Sequence, residues 1–423
     1  MKKLILLSTV LLASTASFAA GFALYQSSSA STALGGALVG KAYDGSANTI
    51  NPATLTDFTN IMVTVGFVTE HPRARVKIND GAYMHKSRPM DPGFFALPHF
   101  QLVVPLPWDL VFGLGYTAEY GLGSEYTHNS LMTWSSQKTT IQGHVVNPNL
   151  AYKVTDKWSI AAGLRLLYFD FDQYSYPMGY ASGYHPLLGG YGEGRLKSHL
   201  RGNNGFSDFG GRFGTSYKLL DNFAVGATYQ TKITTHVKGH AYTRESSDPL
   251  GRLGSAIKSG DAHANLSIPQ AASVGFNWDI TPEWHLGGVA SWTDWSSIDT
   301  IVFHLPTGKN PVKLNWKDTW RFGVAPSWDF AKDWTAMTSY VYDSNPCPSD
   351  QHSTMLPRGD RHILGWGLAW HVTENLELGL NYCLVLMNGK SMHLRNAVDG
   401  RTYHMETHHG LSHAGGGSIT YRF

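Results

Sequence analysis

Three cations fall on strand positions where they would point inward, together with small and polar side chains. They are Arg165, Lys317 and Arg321. A buried cation needs an acceptor, because an unpaired charge in a low-dielectric interior is very costly. These side chains could therefore bind an anionic head group, or they could pair with a carboxylate of the chain itself, such as Asp44. The residues alone leave both interpretations open.

Other groupings of reactive side chains predict less chemistry. Four of the 20 histidines gather near the end of the chain, but no carboxylate or cysteine completes a recognisable zinc pattern there, so we expect no metal and no other cofactor. Cys347 and Cys383 could form a disulfide in an exported protein or remain thiols. No Gly-x-Ser-x-Gly nucleophile elbow is present, so an enzyme is not expected and a lipid hydrolase is a weak alternative. The four histidines are His404, His408, His409 and His413.

The elements that must position these residues follow from a period of two in the sequence. In residues 158–169 and 376–386, apolar or aromatic side chains alternate with small or polar ones. Successive side chains of a β-strand point to opposite faces, so each segment predicts a strand with one apolar face. Arg165 lies on the opposite face of the first segment. The apolar face of the second consists of Leu376, Leu378, Leu380, Tyr382, Leu384 and Leu386.

The connections between such segments alternate in length. Short turns near 155–156 and 332–333 are separated by long connections such as 171–204, 233–268 and 303–316. This asymmetry, with aromatic residues near strand ends, is typical of a transmembrane barrel, because in lipid only closure removes the sheet edge. We predict an all-β antiparallel transmembrane barrel of about 14 strands. The predicted strands are 59–69, 94–104, 108–120, 145–154, 157–170, 206–217, 222–232, 271–280, 284–296, 318–329, 333–342, 361–371, 375–386 and 411–423.

Two prolines stand inside predicted strands. Pro148 and Pro326 have no N–H to donate to a neighbouring strand, and proline is therefore rare within a sheet. We expect a bulge or a kink at each, or an error in the predicted boundary.

Composition and the N-terminus indicate a protein of the bacterial envelope. Charged residues are 15% of the chain and aromatic residues 13%, whereas globular chains average about 25% charged. No stretch after residue 20 offers the roughly 20 apolar residues of a spanning helix, and a net charge of +2 gives no electrostatic basis for binding nucleic acid. Residues 1–19 combine basic, apolar and small residues in the order of a secretory signal, with cleavage expected after Ala19.

Residues 20–58 do not alternate and are rich in Gly, Ala and Ser. A barrel of about 14 strands encloses a lumen wider than the side chains of its wall can fill. We therefore predict that this segment packs inside as a hatch, with a periplasmic tail as the alternative. The predicted organisation is a signal peptide at 1–19, a hatch at 20–58 and a barrel at 59–423.

Several short motifs occur in a fixed order along almost the whole mature chain. In this order the chain resembles the FadL/TodX family of outer-membrane transporters for long-chain fatty acids and other hydrophobic compounds. The motifs are Ala20-Gly21-Phe22, Gly40-Lys41-Ala42-Tyr43, Asn51-Pro52-Ala53-Thr54-Leu55-Thr56-Asp57-Phe58, Glu119-Tyr120-Gly121-Leu122, Ser291-Trp292-Thr293-Asp294-Trp295-Ser296, Trp316-Lys317-Asp318, Trp320-Arg321-Phe322-Gly323, Tyr342-Asp343-Ser344-Asn345-Pro346 and Leu356-Pro357-Arg358-Gly359-Asp360-Arg361.

The resemblance implies a mechanism and a set of site residues. A hydrophobic ligand is captured by outer loops, here 171–204 and 233–268, and held in a pocket inside a 14-stranded barrel. After the hatch rearranges, the ligand leaves sideways through a kink in the third strand. Tyr120-Gly121 match the kink, Asn51-Pro52-Ala53 match a hatch motif near it, and Phe22 matches a phenylalanine that lines the pocket.

The resemblance leaves the ligand open. Asp170 and Asp172 stand in the upper fifth strand, where family members can carry a cation, which leaves room for neutral hydrocarbons besides fatty acids. A non-specific porin is the alternative function. Expected partners are outer-membrane lipid and lipopolysaccharide, and the aromatic terminus Phe423 resembles the signal read by the barrel assembly machinery. The family precedent implies a monomer.

Overall fold

The computed structural model describes residues 21–79, 88–126, 136–175, 184–185, 190–191, 195–247, 258–351, 358–395 and 402–423. The expected signal peptide and the middle of the predicted loop 171–204 lie outside the described residues. The helices are short: α1 at Ser29–Ala33, α2 at Ala47–Ile50, and 3-10 helices at Pro52–Asp57 and Trp295–Ser297. Within the described ranges, no helix has the length and apolar character that crossing a membrane requires.

Strands make up most of the chain. They are β1 Met62–Asn79, β2 Arg88–Met90, β3 Phe95–Pro105, β4 Leu110–Glu125, β5 Lys138–Lys153, β6 Trp158–Ser175, β7 Tyr184–His185, β8 Gly190–Tyr191, β9 Arg195–Asn203, β10 Asp208–Leu220, β11 Phe223–Gln230, β12 Ile233–Ser247, β13 Gly260–Ile268, β14 Ala271–Asp279, β15 Trp284–Thr293, β16 Thr300–Leu305, β17 Gly308–Lys313, β18 Thr319–Ala331, β19 Trp334–Asp343, β20 Asp350–Gln351, β21 Gly359–His371, β22 Leu376–Gly389, β23 Ser391–Arg395 and β24 Thr402–Arg422.

Fourteen of these strands close into an antiparallel barrel. The pairing order is β1, β3, β4, β5, β6, β10, β11, β14, β15, β18, β19, β21, β22 and β24, and β24 returns to β1 over almost its whole length. Each of the 14 predicted strands overlaps one strand of this ring, so the predicted fold class is confirmed. Closure gives each described strand of the ring a hydrogen-bonded neighbour on both sides, as a wall in lipid requires.

The two faces of the wall follow the predicted alternation. In β22, Leu380, Tyr382 and Leu386 are exposed on the outside, whereas Glu377 and Cys383 are buried inside. Exposed aromatic rings also gather beside the short turns, where the Trp284 and Trp328 rings stack with centroids 5.1 Å apart. An apolar outer band flanked by aromatic girdles is the surface of a barrel that faces lipid.

The predicted long loops contain strands that the sequence analysis missed. The segments 171–204, 233–268 and 303–316 were expected to be loops, but β9, β12, β13 and β17 lie largely within them. β9 pairs with β6 and β12, and β12 pairs with β13, so these strands extend the wall beyond the predicted barrel end. The prediction of plain loops here was wrong, because their alternation is weaker than that of the lipid-facing strands.

Both prolines lie inside strands. Pro148 pairs with Leu114 of β4, and Pro326 pairs with Leu286 of β15. In the ladder with the second neighbouring strand, β6 for Pro148 and β19 for Pro326, two consecutive positions are unpaired. The pairing then resumes in the same register. The missing N–H therefore interrupts one ladder locally, and the expected register-shifting bulge does not occur at either position.

Residues 21–58 pack against inward-facing residues of the strands. Helix α1 is buried and begins with a capping box formed by Ser28 and Ser31. The wall carries glycines where the segment approaches most closely: a Cβ at Gly226 would overlap the Val39 carbonyl oxygen, and one at Gly287 would overlap the Ala37 carbonyl oxygen. The hatch, its domain boundaries and its movement stay predictions.

Candidate functional site

Phe22 lies at the centre of an aromatic cluster. Its side chain is buried, and its ring contacts the Tyr120, Phe169, Trp295 and Trp316 rings, with centroids 4.8–6.4 Å apart. Above it is an apolar cavity of about 40 Å³. The cavity is lined by side chains from the upper barrel and its extension, including Ile141, Phe169, Phe171, Leu200, Val237, Leu266, Ile301, Phe303 and Trp316.

The third barrel strand, β4, contains an irregularity next to Phe22. Its register with β5 shifts between Ala118 and Tyr120, so Glu119 is the extra residue of a bulge. The bulge lets two consecutive side chains, Glu119 and Tyr120, both be buried, whereas a regular strand would turn one of them outward. The sequence analysis expected a kink at Tyr120-Gly121, and the register shift lies just before these residues.

The N-terminal residues pair with β4 at this bulge. The Leu24 N–H donates to the Glu119 carbonyl oxygen at 2.8 Å, and the Gly121 N–H donates to the Phe22 carbonyl oxygen at 2.8 Å. The recorded ladder between β3 and β4 ends at His99 and Thr117. In the described part of the chain, β3 is paired with β4 only up to Thr117. Above that level, residues 22–24 are the backbone that pairs with β4 on this side.

A buried ion cluster holds the Glu119 side chain. Arg165 Nη2 donates to Glu119 Oε2 at 2.7 Å, and Arg212 Nη2 donates to Glu119 Oε1 and Oε2 at 2.9 and 3.0 Å. Arg165 also donates to the Tyr120 hydroxyl. Because all three charged side chains are at most 6% exposed, their interactions are little screened by water. The inward position expected for Arg165 is correct, and its partner is Glu119 rather than Asp44.

Arg212 also connects the bulge to the inner segment. Its Nη1 donates to Asn147 Oδ1 and, at 3.5 Å, to the carbonyl oxygen of Asn48 in α2. The sequence analysis did not single out Arg212 or the Glu119 side chain. The signal that could have found them is the inward register of Arg165, because a buried arginine requires a carboxylate on a neighbouring inward position.

The Asn51-Pro52-Ala53 motif anchors the inner segment lower in the barrel. Asn51 Nδ2 donates to the Val39 carbonyl oxygen at 2.6 Å and to the Thr215 carbonyl oxygen of β10 at 3.0 Å, while its Oδ1 accepts from the Ala53 N–H. Pro52 begins the 3-10 helix that follows. These contacts are with β10 and not with Tyr120-Gly121, and Arg212 is the side chain that connects the two regions.

Arg321 is buried on the inner face, as its predicted register implied. Its Nη2 donates to the Gly35 carbonyl oxygen at 2.7 Å, and its guanidinium lies over the Tyr25 ring, 4.1 Å from the centroid. Nearby, Arg361 and Asp343 form a second buried pair at 3.6 Å. Arg321 thus fixes the inner segment to β18, and whether it also contacts ligand stays a prediction.

Lys317 does not have the predicted position. Its side chain is exposed, and it lies before the start of β18, in a stretch where the Lys317 N–H donates to the Pro346 carbonyl oxygen at 2.9 Å. The expectation of an inward position was wrong because residues 314–318 are not a strand. Burial alternates up to Trp316 and then breaks, because Lys317 and Asp318 are both exposed before Thr319 begins β18 as a buried residue.

In the described part of the chain, the cysteines and histidines form no recognisable reactive centre. Cys347 and Cys383 are buried and are not joined by a disulfide. His404 and His408 contact Glu406 at 3.3 and 3.0 Å, and His413 contacts the Tyr382 hydroxyl at 2.6 Å, while the side chain of His409 is outside what the structure describes. Across the described residues, no group of three or more His, Cys, Asp or Glu side chains is arranged to hold a metal ion.

Comparison with known proteins identifies relatives over nearly the full length. The family model described as outer membrane protein transport protein (OMPP1/FadL/TodX) matches residues 10–423. The long-chain fatty acid transport protein of Escherichia coli O6:H1 is 24% identical over 427 aligned residues, which cover 94% of this chain and 93% of the relative.

Two solved structures share the fold. A Pseudomonas aeruginosa FadL homologue superposes with a TM-score of 0.83 at 20% identity, covering 96% of this chain and 100% of the other. The toluene transporter TodX of Pseudomonas putida superposes with a TM-score of 0.71 at 16% identity, covering 95% and 99%. At these identities the superpositions establish the architecture of the barrel.

Proposed function

The chain belongs to the OMPP1/FadL/TodX family of outer membrane transport proteins, and from this we propose how it carries long-chain fatty acids or similar hydrophobic compounds across the outer membrane. It is a transporter rather than an enzyme. The single observation that carries the proposal is the apolar cavity above Phe22, which lies inside the barrel and faces the strands of the outer extension. A ligand captured by the outer segments would pass into this cavity.

Binding in the cavity requires the Phe22 segment to move. Burial of an alkyl chain contributes about 0.8 kcal/mol per CH₂, which favours entry from water. The cavity of about 40 Å³ has room for only a few water-sized groups. A long ligand must therefore displace Phe22, and this displacement is the first step of the proposed gating.

The proposed exit is sideways into the membrane. Residues 22–24 occupy the level of β4 where the recorded pairing with β3 has ended. If these residues move with Phe22, Tyr120-Gly121 lose their backbone partner on the side that faces β3, while they stay paired with β5. We infer that the ligand leaves there, directly into lipid, so that its apolar chain never has to enter water. Rearrangement of the segment around Asn51-Pro52-Ala53 belongs to the same proposal.

Filling the proposed exit tests this route. Gly121→Trp places a bulky ring at the bulge, and we expect uptake of radiolabelled hexadecanoate into cells that lack other outer-membrane carriers to fall at least tenfold. Gly415→Trp is the matched control, because a Cβ at Gly415 has its nearest neighbour 3.5 Å away. Both variants are first checked for folding by heat-modifiable migration in gels. Equal uptake by the two variants would count against lateral release.

Conductance separates a gated transporter from a non-specific porin. In planar bilayers the intact chain is expected to give little steady ion current, because residues 21–58 fill much of the lumen and are largely buried. A large, steady conductance that is insensitive to hydrophobic ligand would favour the porin alternative. The expected monomer is testable on the same preparation by light scattering.

The C-terminal strand suggests how the barrel meets lipid and its assembly factors. Phe423 and Tyr421 are exposed, with ring centroids 4.8 Å apart. We propose that this aromatic end is the assembly signal and that the apolar outer face contacts lipid and lipopolysaccharide. Phe423→Asp should lower the yield of assembled barrel in cells while leaving refolding in detergent unchanged.

A further inference from the structure

The buried charges at the β4 bulge do not balance. Arg165 and Arg212 share one carboxylate, Glu119, so the three side chains carry a net charge of +1. Within the described residues, Arg165 Nε has no hydrogen-bond partner. A buried charge without a counter-charge is costly. As described, the cluster is therefore one negative charge short of neutrality.

The N-terminal residues separate this cluster from the apolar cavity. Phe22 lines the apolar cavity, whereas Ala23 and Leu24 line a second cavity of about 100 Å³ together with Glu119 and Arg212. When residues 22–24 move, the two cavities join. The joined space has apolar walls above and arginines below.

The inner face of β6 is also apolar in its upper part and cationic below, like the joined space. Phe171, Phe169 and Leu167 are buried along it, and Arg165 is the next inward residue below them. Alternate residues of a strand are about 6.6 Å apart, so the apolar stripe covers roughly five alkyl carbons per step before it ends at a cation. A molecule with a long apolar tail and one terminal anion matches this stripe.

We propose that Arg165 and Arg212 recognise the carboxylate of an anionic amphiphile, and that Glu119 occupies its place until the ligand arrives. This inference rests on the proposed transport function and names its substrate class. On binding, Arg165 turns from Glu119 to the ligand carboxylate, while Arg212 stays with Glu119. Each arginine then faces one carboxylate, and the buried charges balance.

The same exchange loosens the N-terminal segment. The Glu119 side chain is held by both arginines, and its carbonyl oxygen accepts the Leu24 N–H. Losing one arginine frees the bulge and weakens this backbone bond. A neutral ligand of the same length can displace the Phe22 ring but cannot draw Arg165 away, so it weakens the Leu24 bond less.

Affinities for a matched ligand pair test the proposal. The affinities of the full barrel for radiolabelled hexadecanoate and hexadecan-1-ol are measured in the same detergent. The ratio of the two affinities is then compared among variants, because the partition of each ligand into micelles is the same for every variant and cancels from the comparison. Arg165→Gln should lower hexadecanoate affinity about tenfold and change hexadecan-1-ol affinity less than twofold. Glu119→Gln, which removes the internal competitor, should raise hexadecanoate affinity about tenfold. Lys157→Gln removes an exposed positive charge as the control.

Two further measurements do not depend on these variants being stable. Arg165→Lys keeps the charge and should keep the preference for hexadecanoate. In the unmodified protein, hydrogen exchange at the Leu24 amide should accelerate more with hexadecanoate than with hexadecan-1-ol. Equal losses for both ligands in Arg165→Gln, an unchanged ratio in Glu119→Gln, or equal exchange with the two ligands would overturn the inference. Failure of the unmodified protein to bind either ligand would instead refute the proposed function.

Discussion

The inner segment is attached to the barrel in two different ways. Its upper end, residues 22–24, is held by two backbone hydrogen bonds to β4, by aromatic contacts of Phe22 and by the ion cluster at Glu119. Its lower part, residues 37–57, is held by amide side chains that bond backbone oxygens and by glycines that allow backbone to approach backbone.

This difference separates a part that a ligand can displace from a part that it cannot. Aromatic contacts and arginine–carboxylate bonds are interactions that an amphiphile can itself supply, so ligand binding can replace them at little net cost. The hydrogen bonds that the side-chain amides of Asn51 and Asn277 donate to backbone oxygens have no counterpart in a fatty acid. We therefore expect the upper end to move during transport while the lower part remains seated.

Asn51→Ala should show the largest effect, because it removes the lower attachment. The change leaves the Val39 carbonyl oxygen without the Asn51 amide and removes one donor from the Thr215 carbonyl oxygen of the β10 ladder. An unsatisfied buried group costs about 1–3 kcal/mol, and a lost hydrogen bond costs about 0.5–1.5 kcal/mol. We expect the free energy of unfolding in urea to fall by about 3 kcal/mol. Asn222→Ala is the control, since Asn222 donates to a carbonyl oxygen from an exposed turn. Equal losses would show that Asn51 is no special anchor.

Gly226→Ala should disturb the same region by a smaller amount. Its Cβ would overlap the Val39 carbonyl oxygen, so backbone must shift, and overpacking of this kind costs about 1–3 kcal/mol. We expect about 2 kcal/mol of destabilisation and a rise in ion conductance across planar bilayers as the segment lifts. Gly415→Ala has room for its Cβ and should change neither quantity. Unchanged conductance in Gly226→Ala would mean that the wall tolerates the shift.

The sequence predicts the barrel better than it predicts how the inner segment is attached to it. The alternation of side chains predicts 14 strands and an inward position for Arg165 and Arg321, because the face toward lipid must be apolar whereas the face toward the lumen can be polar. The same rule failed at Lys317, because the alternation breaks between Trp316 and Thr319, where two consecutive residues are exposed. It also hid the Glu119 cluster, because a bulge lets Glu119 and Tyr120 face inward together, and bulges leave no periodic signal. Arg212 became significant only once β10 was placed beside β6.

Phe22→Ala should cost less stability than its burial suggests. Removing a buried phenylalanine side chain usually costs about 3–5 kcal/mol, but an end that opens locally limits its effect on global unfolding. We expect about 1 kcal/mol in urea unfolding, together with much faster hydrogen exchange at the Leu24 and Gly121 amides and unchanged exchange around Asn51. A global loss near 4 kcal/mol would show that the upper end is as integral to the fold as the lower part.

Lys41→Gln should have the smallest effect, although Lys41 makes a very short ion pair with Asp279 at the lower attachment. The two side chains are 47% and 27% exposed, and ion pairs open to water contribute about 0.2–1 kcal/mol. The Gly40 and Lys41 N–H groups also donate to Asn277 Oδ1 at 2.9 and 3.0 Å, and these bonds survive the substitution. We expect a loss of about 0.5 kcal/mol that vanishes in high salt. A larger loss of unfolding free energy that does not depend on salt would mean that the ion pair, rather than hydrogen bonds between backbone groups and side-chain amides, holds the lower part in place. The contrast between the two attachments would then not hold.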